Sequence, residues 1–271
     1  MALVLGIDAA WTERGSSGLA LLRVERGSRA VLAVAPSYVG FIGLAAHAAP
    51  DWRTPPAGIP EISELLQAAA MLGGEPVDVV AIDMPISRRA VVGRRPSDQA
   101  VSRSFGAYGA AVHSPSAHRP DGAVTRMARG FEAAGFPIAT MTPLAPALIE
   151  VFPLAALVQL LCIRRRPEYK VAKISRYRWP GPLAERLEQL LANWRLIVGH
   201  LEREVGFVGF DIPQSATSAA RLKPYEDALD AIVCAWVGAC YLEGTPRTYP
   251  GNDPDCAICI PEPRRNCVEL T

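Results

Sequence analysis

Four aspartates stand where carboxylates can do chemistry. Asp8 closes the apolar run ALVLGID, Asp83 closes VDVVAID, and Asp227 and Asp230 share the stretch YEDALDAIVCAWVGACYLEG. Between Ala228 and Leu242 only Asp230 and Gly238 interrupt that stretch, which predicts a mostly buried helix. A buried carboxylate needs a cation, a proton or a wet cleft beside it, because an unpaired buried charge costs several kcal/mol. Asp227, about 60° around the helix from Asp230, shares its face. If the two strands that end in acids are parallel neighbours, Asp8 and Asp83 emerge together at the carboxyl edge of a sheet, where open α/β folds place ligands. The last helix can then pack across that edge, with Asp227 toward solvent and Asp230 toward the sheet. Carboxylates crowded in this way attract hard divalent ions such as Mg²⁺ or Mn²⁺, and two such ions about 3.5–4 Å apart can clamp an in-line phosphoryl displacement. Each acid also has a plainer reading. A strand-ending Asp often shapes a turn or a cap, Asp230 can pair with an arginine, and Asp227 can favour the helix dipole.

The elements that must position these acids follow from the apolar pattern. ALVLGID and VDVVAIDMP are continuous apolar runs, as in strands buried on both faces. SGLALLRVE and RAVLAVAPSY, separated by RGS, predict an antiparallel meander with the first strand. EISELLQAAAML has helical spacing at 62, 65, 66 and 69, and PALIEVFP predicts a further strand carrying Glu150. Residues 87–141 look loop-rich. LAERLEQLLANWRLIVGHLEREVG predicts an amphipathic helix whose stripe runs through Leu183, Leu187, Leu190, Leu191, Trp194, Ile197, Val198 and Leu201. Pro224 suits the first turn of the last helix. Strands interspersed with helices favour an α/β mixed sheet covered on both faces, in a single domain over 1–271 with a loop-rich insertion around 87–141.

The 271 residues, 50% hydrophobic and 20% charged, describe a globular chain with room for a large core. A formal charge of +1 excludes global steering toward nucleic acid or membrane, so a polyanion site must come from local clustering. MALVLGID lacks the basic start of a signal peptide and no apolar run approaches the length of a membrane span, so the expected location is cytoplasmic, with its six cysteines as thiols. CAIC at 256–259, with Cys267 beyond, has no matching second pair for zinc, and AICIP alternates like a short strand that buries Cys259.

GIDAAW at 6–11, AIDMPI at 81–86, EVFP at 150–153 and YEDALDAIVCAW at 225–236 resemble, in order, the motifs of the domain of unknown function 429 family, whose members are predicted nucleases with an RNase H-like fold. The resemblance implies an RNase H-like mixed five-stranded sheet flanked by helices on both faces. It implies that Asp8, Asp83, Asp227 and Asp230 form a catalytic site holding divalent Mg or Mn, with Glu150 as a further ligand or base. The D-x-x-D-A helix is also similar to that of Holliday-junction resolvases.

Basic residues flank these acids. IRRRPEYKVAKISRYRWP at 163–180 has seven basic residues, one acid, two tyrosines and a tryptophan, a mixture that suits single-stranded or junction nucleic acid, DNA or RNA. RRAVVGRRPSDQAVSR adds Arg88, Arg89, Arg94, Arg95 and Arg103. The expected substrate contacts are Arg88, Arg94, Arg103, Lys170 and Arg176. A solvated charged loop, or an ion pair of Asp98 with Arg103, is the alternative. His113 and His118 are candidates for proton transfer, although loop histidines are usually inert. The expected function is therefore a divalent-metal-dependent nuclease. One alternative is an ATP-using enzyme of the actin and sugar-kinase-like branch, which DAAWTERG disfavours because it has no glycine soon after Asp8. The other is a non-catalytic module binding nucleic acid or protein. No P-loop, dinucleotide fingerprint, H-E-x-x-H or G-x-S-x-G motif is present.

Overall fold

A computed structural model describes residues 1–10, 15–89, 91, 93–113, 122–140 and 143–262 of the chain. Its first three strands, β1 (Ala2–Asp8), β2 (Gly18–Glu25) and β3 (Ser28–Ala35), form the expected antiparallel meander. Helices α1 (Tyr38–Ala45) and α2 (Ile62–Gly73) follow, then β4 (Val79–Ile82), which pairs with β1 in parallel. Next come α3 (Pro96–Phe105), α4 (Gly122–Ala133), β5 (Ala147–Val151) and α5 (Pro153–Leu161). The long helices α6 (Leu183–Val205) and α7 (Lys223–Leu242) precede β6 (Pro246–Tyr249) and β7 (Ile258–Pro261).

The strand order is β3-β2-β1-β4-β5-β7-β6, so the described sheet has seven strands where five were expected. The extra pair sits beyond β5. ICIP pairs in parallel with β5 and carries PRTY as an antiparallel edge, a segment too short and too polar to read as a strand on its own.

Alternation along the strands sorts the core into two layers. Val4, Val79, Ala81, Ile149 and Val151 face α5, α6 and α7, whereas Leu5, Ile7, Val80, Ile82 and Leu148 face the layer that contains α2 and α4. The apolar stripe of α6 is buried as expected at Leu187, Leu190, Leu191, Trp194, Ile197 and Leu201, but Val198 is only partly buried and Leu183 at its first turn is 52% exposed. Helix α7 is buried along almost its whole length between the sheet and the other helices, which explains its nearly uninterrupted apolar sequence.

Two glycines let α7 lie directly on the sheet. A Cβ on Gly6 of β1 would stand 2.2 Å from the Ala231 carbonyl oxygen, and one on Gly18 of β2 would stand 2.0 Å from that of Asp227. Any larger residue at these positions would lift the helix that carries Asp227 and Asp230.

Three helices depart from the sequence reading. YVGFIGLA, an apolar run that could prolong β3, instead starts α1, because the Ser37 hydroxyl caps it by accepting from the Gly40 N–H at 3.0 Å. The 87–141 segment is not simply loop, since α3 and α4 occupy much of it. In α3, Pro96 stands in the first turn and the Asp98 carboxylate accepts from the Arg95 N–H at 2.9 Å. Asp98 thus pairs with Arg95 rather than with Arg103, which is exposed near the end of the helix.

Candidate functional site

Strand register brings the first two acids together. Ile7 of β1 pairs with Ile82 of β4, the Asp83 N–H donates to the Ile7 carbonyl at 2.8 Å, and so Asp8 and Asp83 leave the two strands at the same level. Each follows by an even step the residues that face α7, namely Val4 and Gly6 on one strand and Val79 and Ala81 on the other. Their side chains therefore belong to the α7 face. Helix α7 answers with Glu226, Asp227 and Asp230 from its first two turns. These are 2%, 3% and 0% exposed, so Asp227 is buried like Asp230 and does not face solvent as the sequence suggested. The turns of α7 carry it inward because Gly18 lets its backbone approach β2.

Two lysines hold this acidic group. Lys170, in the loop after α5, places its ammonium on Asp230 and 3.6 Å from Glu226. Lys223, at the start of α7, pairs with Asp227 and, at 2.8 Å, with Glu226. The Tyr169 hydroxyl donates to Asp230 at 2.8 Å, and the Val171 N–H donates to Glu226, so one loop of residues 169–171 supplies four contacts to α7. Ser16 donates to Asp227 at 3.2 Å. Glu226 and Tyr169 were missed in the sequence. Glu226 had a signal, since it lies three residues after Lys223 and four before Asp230 on one helical face. Tyr169 had none, because its partner is far away in the chain.

The charges are unevenly satisfied. Burial, then the charge of Asp227, push the Asp8 carboxyl up to about 7, against the opposing pull of Lys170 and Lys223. Burial and the neighbouring Asp8 raise Asp83 well above the usual carboxylate range. Asp230 rises to about 6, chiefly by burial, although Lys170 opposes the change. Asp227 is also raised by burial, whereas Glu226 is held below its ordinary value because its two lysines outweigh burial. Burial works against the Lys170 ammonium, but Asp230, Tyr169 and Glu226 overcome it and raise its pKa. Among the described residues neither Asp8 nor Asp83 forms an ion pair, and burial shifts both carboxyls toward the protonated form.

The described donor set does not fit a divalent ion as it stands. Among the described residues, no three carboxylate, imidazole or thiol groups are placed so that they could hold one metal. Lysine ammonium groups stand between the α7 acids instead, giving the neutralising charge that such an ion would otherwise bring.

Glu150 lines the same cavity as Asp83 and its charge helps to raise the Asp83 pKa, but it leaves its strand on the opposite face from α7. It pairs in register with Ile82, whose side chain faces away from α7. There Arg95 grips it with contacts of 2.5 and 2.6 Å, and Arg95 also holds Asp98 at 2.6 Å. The Ile86 N–H adds a further bond to Glu150 at 3.0 Å. Its role in this arrangement is that of a buried ion-pair partner.

The expected substrate arginines divide in the same way. Arg88 donates to the carbonyls of Ile138 and Pro254, and Arg94 to Ser102 and the Val112 carbonyl, so both tie loops together. Arg89 pairs with Asp255. Lys170 is committed to Asp230 but also lines a cavity of about 230 Å³ together with Asp83 and His113. Arg176 lines a neighbouring cavity of about 300 Å³. His118 and Cys267 lie outside the described residues. Cys259 is fully buried in β7 and is a free thiol, as are Cys234, Cys240 and Cys256. Cys162 is disulfide-bonded, a pairing that spacing in the chain could not reveal. Among the described residues, no helix is long and apolar enough to cross a membrane.

Fold and site together define an α/β protein with a seven-stranded mixed sheet and a lysine-bridged acidic cluster at the carboxyl edge of its parallel strands. Residues 6–255 match the family described as protein of unknown function DUF429, and the chain belongs to that family. No curated protein and no solved structure matches it.

Proposed function

We propose that the protein is a nuclease, hydrolysing phosphodiester bonds of nucleic acid at the edge where Asp8 and Asp83 lie side by side. The observation that carries the reading is this pair of carboxyls, both raised in pKa, beside a cavity walled by Lys170, Lys173 and Arg166. The fold lends support. Strands β3-β2-β1-β4-β5, three antiparallel and then two in parallel with β1, fit the five-stranded mixed sheet that an RNase H-like architecture implies, with β7 and β6 added at one edge.

In this reading a phosphate enters from the cavity and meets the Lys170 ammonium, which offers positive charge to its oxygens. Asp8, about half ionised at pH 7, takes a proton from the attacking water. The new P–O bond forms as the bond to the leaving oxygen breaks, and Asp83, whose carboxyl burial and Asp8 shift toward the protonated form, is the proton donor to that oxygen in this reading. No step is assigned to a divalent ion, since among the described residues the side chains do not form a set for one.

The test is incubation of the purified protein with single-stranded, duplex, hybrid and branched substrates, with and without Mg²⁺ or Mn²⁺, alongside ATP. The reading expects cleavage of at least one nucleic acid. ATP turnover without such cleavage would instead favour the actin and sugar-kinase-like branch.

A further inference from the structure

The cavity lined by Asp83 and Lys170 is of mixed character. Val112, Phe152, Pro153 and Leu154 give it apolar surface, and besides the Arg95–Glu150 ion pair it carries His113, Arg166 and Lys173. A second cavity adjoins it, sharing His113, Arg166, Lys173 and Tyr177, and adds Arg165, Arg176 and Arg178 against the single acid Glu168. The cations crowd one another: burial, then the charges of Arg166, Lys170 and Arg176, lower the pKa of Lys173. An anion placed among them would relieve that repulsion.

We infer that the paired cavities bind a single nucleotide unit, its phosphate in the cationic chamber and its base against Phe152 and Leu154 in the inner one. Size restricts the ligand. Small-molecule pockets span about 300–1,000 Å³, and chambers of about 230 and 300 Å³ hold one ring system and one phosphate rather than a duplex. Chemistry restricts it further. Guanidinium and ammonium groups together match phosphate oxygens, and an apolar wall with an aromatic ring accepts the face of a base without selecting its sequence. Asp83 and Lys170 also line the inner chamber, so a nucleotide whose own phosphate sits in the cationic chamber turns the linkage to its neighbour toward the acidic edge. That last point rests on the nuclease reading, and with it the nucleotide held is one at the end of a strand.

Calorimetric titration of the full chain with a nucleoside monophosphate, the matching nucleoside and inorganic phosphate tests the inference. The monophosphate should bind at least about tenfold more tightly than either part alone, as expected when both chambers are filled. The Lys173→Ala/Arg176→Ala variant should lose about tenfold or more of that affinity with its melting temperature unchanged, since neither side chain is buried in the core. Equal binding of nucleotide and inorganic phosphate would reduce the site to an anion contact and overturn the inference. Unaltered binding by the double variant, or no binding of the monophosphate, would also overturn it. Nucleotide binding by a protein that cleaves no nucleic acid would sink the nuclease reading and leave the pocket standing, and cleavage without nucleotide binding would do the reverse.

Discussion

Lys170 reaches across 60 residues of chain to set its ammonium on Asp230, a carboxylate that is 0% exposed in the middle of the core helix. This contact answers the main puzzle of the sequence, a charge inside an apolar helix. It also fixes the loop of residues 169–171 against α7 and closes one side of the cavity.

Removing the lysine strands the acid. Lys170→Met should destabilise the protein by about 2–3 kcal/mol, below the about 3–5 kcal/mol of a fully buried pair because the lysine side chain is 25% exposed. Adding Asp230→Asn should recover more than half of the loss, as a neutral amide no longer needs the cation. Urea denaturation of the two variants checks this, and an equal or greater loss in the double variant would remove the pair from the account.

The same lysines bear on metal binding. Because ammonium groups already neutralise the α7 acids, a divalent ion has to displace them to reach those carboxylates. Lys170→Ala should therefore bind Mn²⁺ at least about tenfold more tightly than the unaltered protein, given the Coulomb energy of removing one nearby positive charge. Manganese titration followed by electron paramagnetic resonance reads this directly. Tight Mn²⁺ binding by the unaltered protein would show that the acids rearrange around an ion.

Asp8 gives a pH signature. Its folded pKa of about 7 lies above its ordinary value of 3.8, so between these limits the native state binds more protons than the unfolded chain. Stability from this group is then complete below about pH 4 and falls as pH rises toward 7, with Asp83 shifted in the same direction. Asp8→Asn should be more stable than the unaltered protein at pH 8, by on the order of 1–3 kcal/mol, and should lose part of the slope between pH 4 and 7. Thermal unfolding across that range measures both effects, and parallel pH profiles would contradict them.

The close seat of α7 can be tested through Gly18. A methyl group there meets the Asp227 backbone at 2.0 Å, so Gly18→Ala should cost at least about 1–3 kcal/mol and shift the acids of α7 away from β1. Comparison of its unfolding midpoint with that of Gly199→Ala separates this clash from a general loss of glycine, because a Cβ on Gly199 in α6 meets nothing within 4 Å and its φ is not in the left-handed region. Equal losses at the two positions would contradict the close-approach argument.

Much of this arrangement was legible in the sequence, and for definite reasons. Strands β1 and β4 are buried on both faces, so their apolar runs were continuous and their terminal acids conspicuous. Helix α7 was legible because a nearly uniform apolar sequence can hide only in a core. Helix α3 was obscured because half its surface is polar and its start depends on an Arg95–Asp98 box rather than a common cap. Glu150 entered as a further ligand or base through the resemblance at EVFP, and only the register with Ile82 reveals that it faces Arg95. Of the two lysine partners, Lys223 lies within one turn of Asp227, whereas Lys170 was hidden by distance along the chain. Lys170 stood out as a basic residue, but nothing local tied it to Asp230.

The most direct test of the central claim compares the protein with its Asp8→Asn variant, both shown to be folded, on whichever nucleic acid the unaltered protein cuts. The account predicts cleavage by the unaltered protein and a loss of about 10²-fold or more in the variant, the scale of general base catalysis. Undiminished cleavage by Asp8→Asn, or no cleavage of any substrate by the unaltered protein, would contradict it.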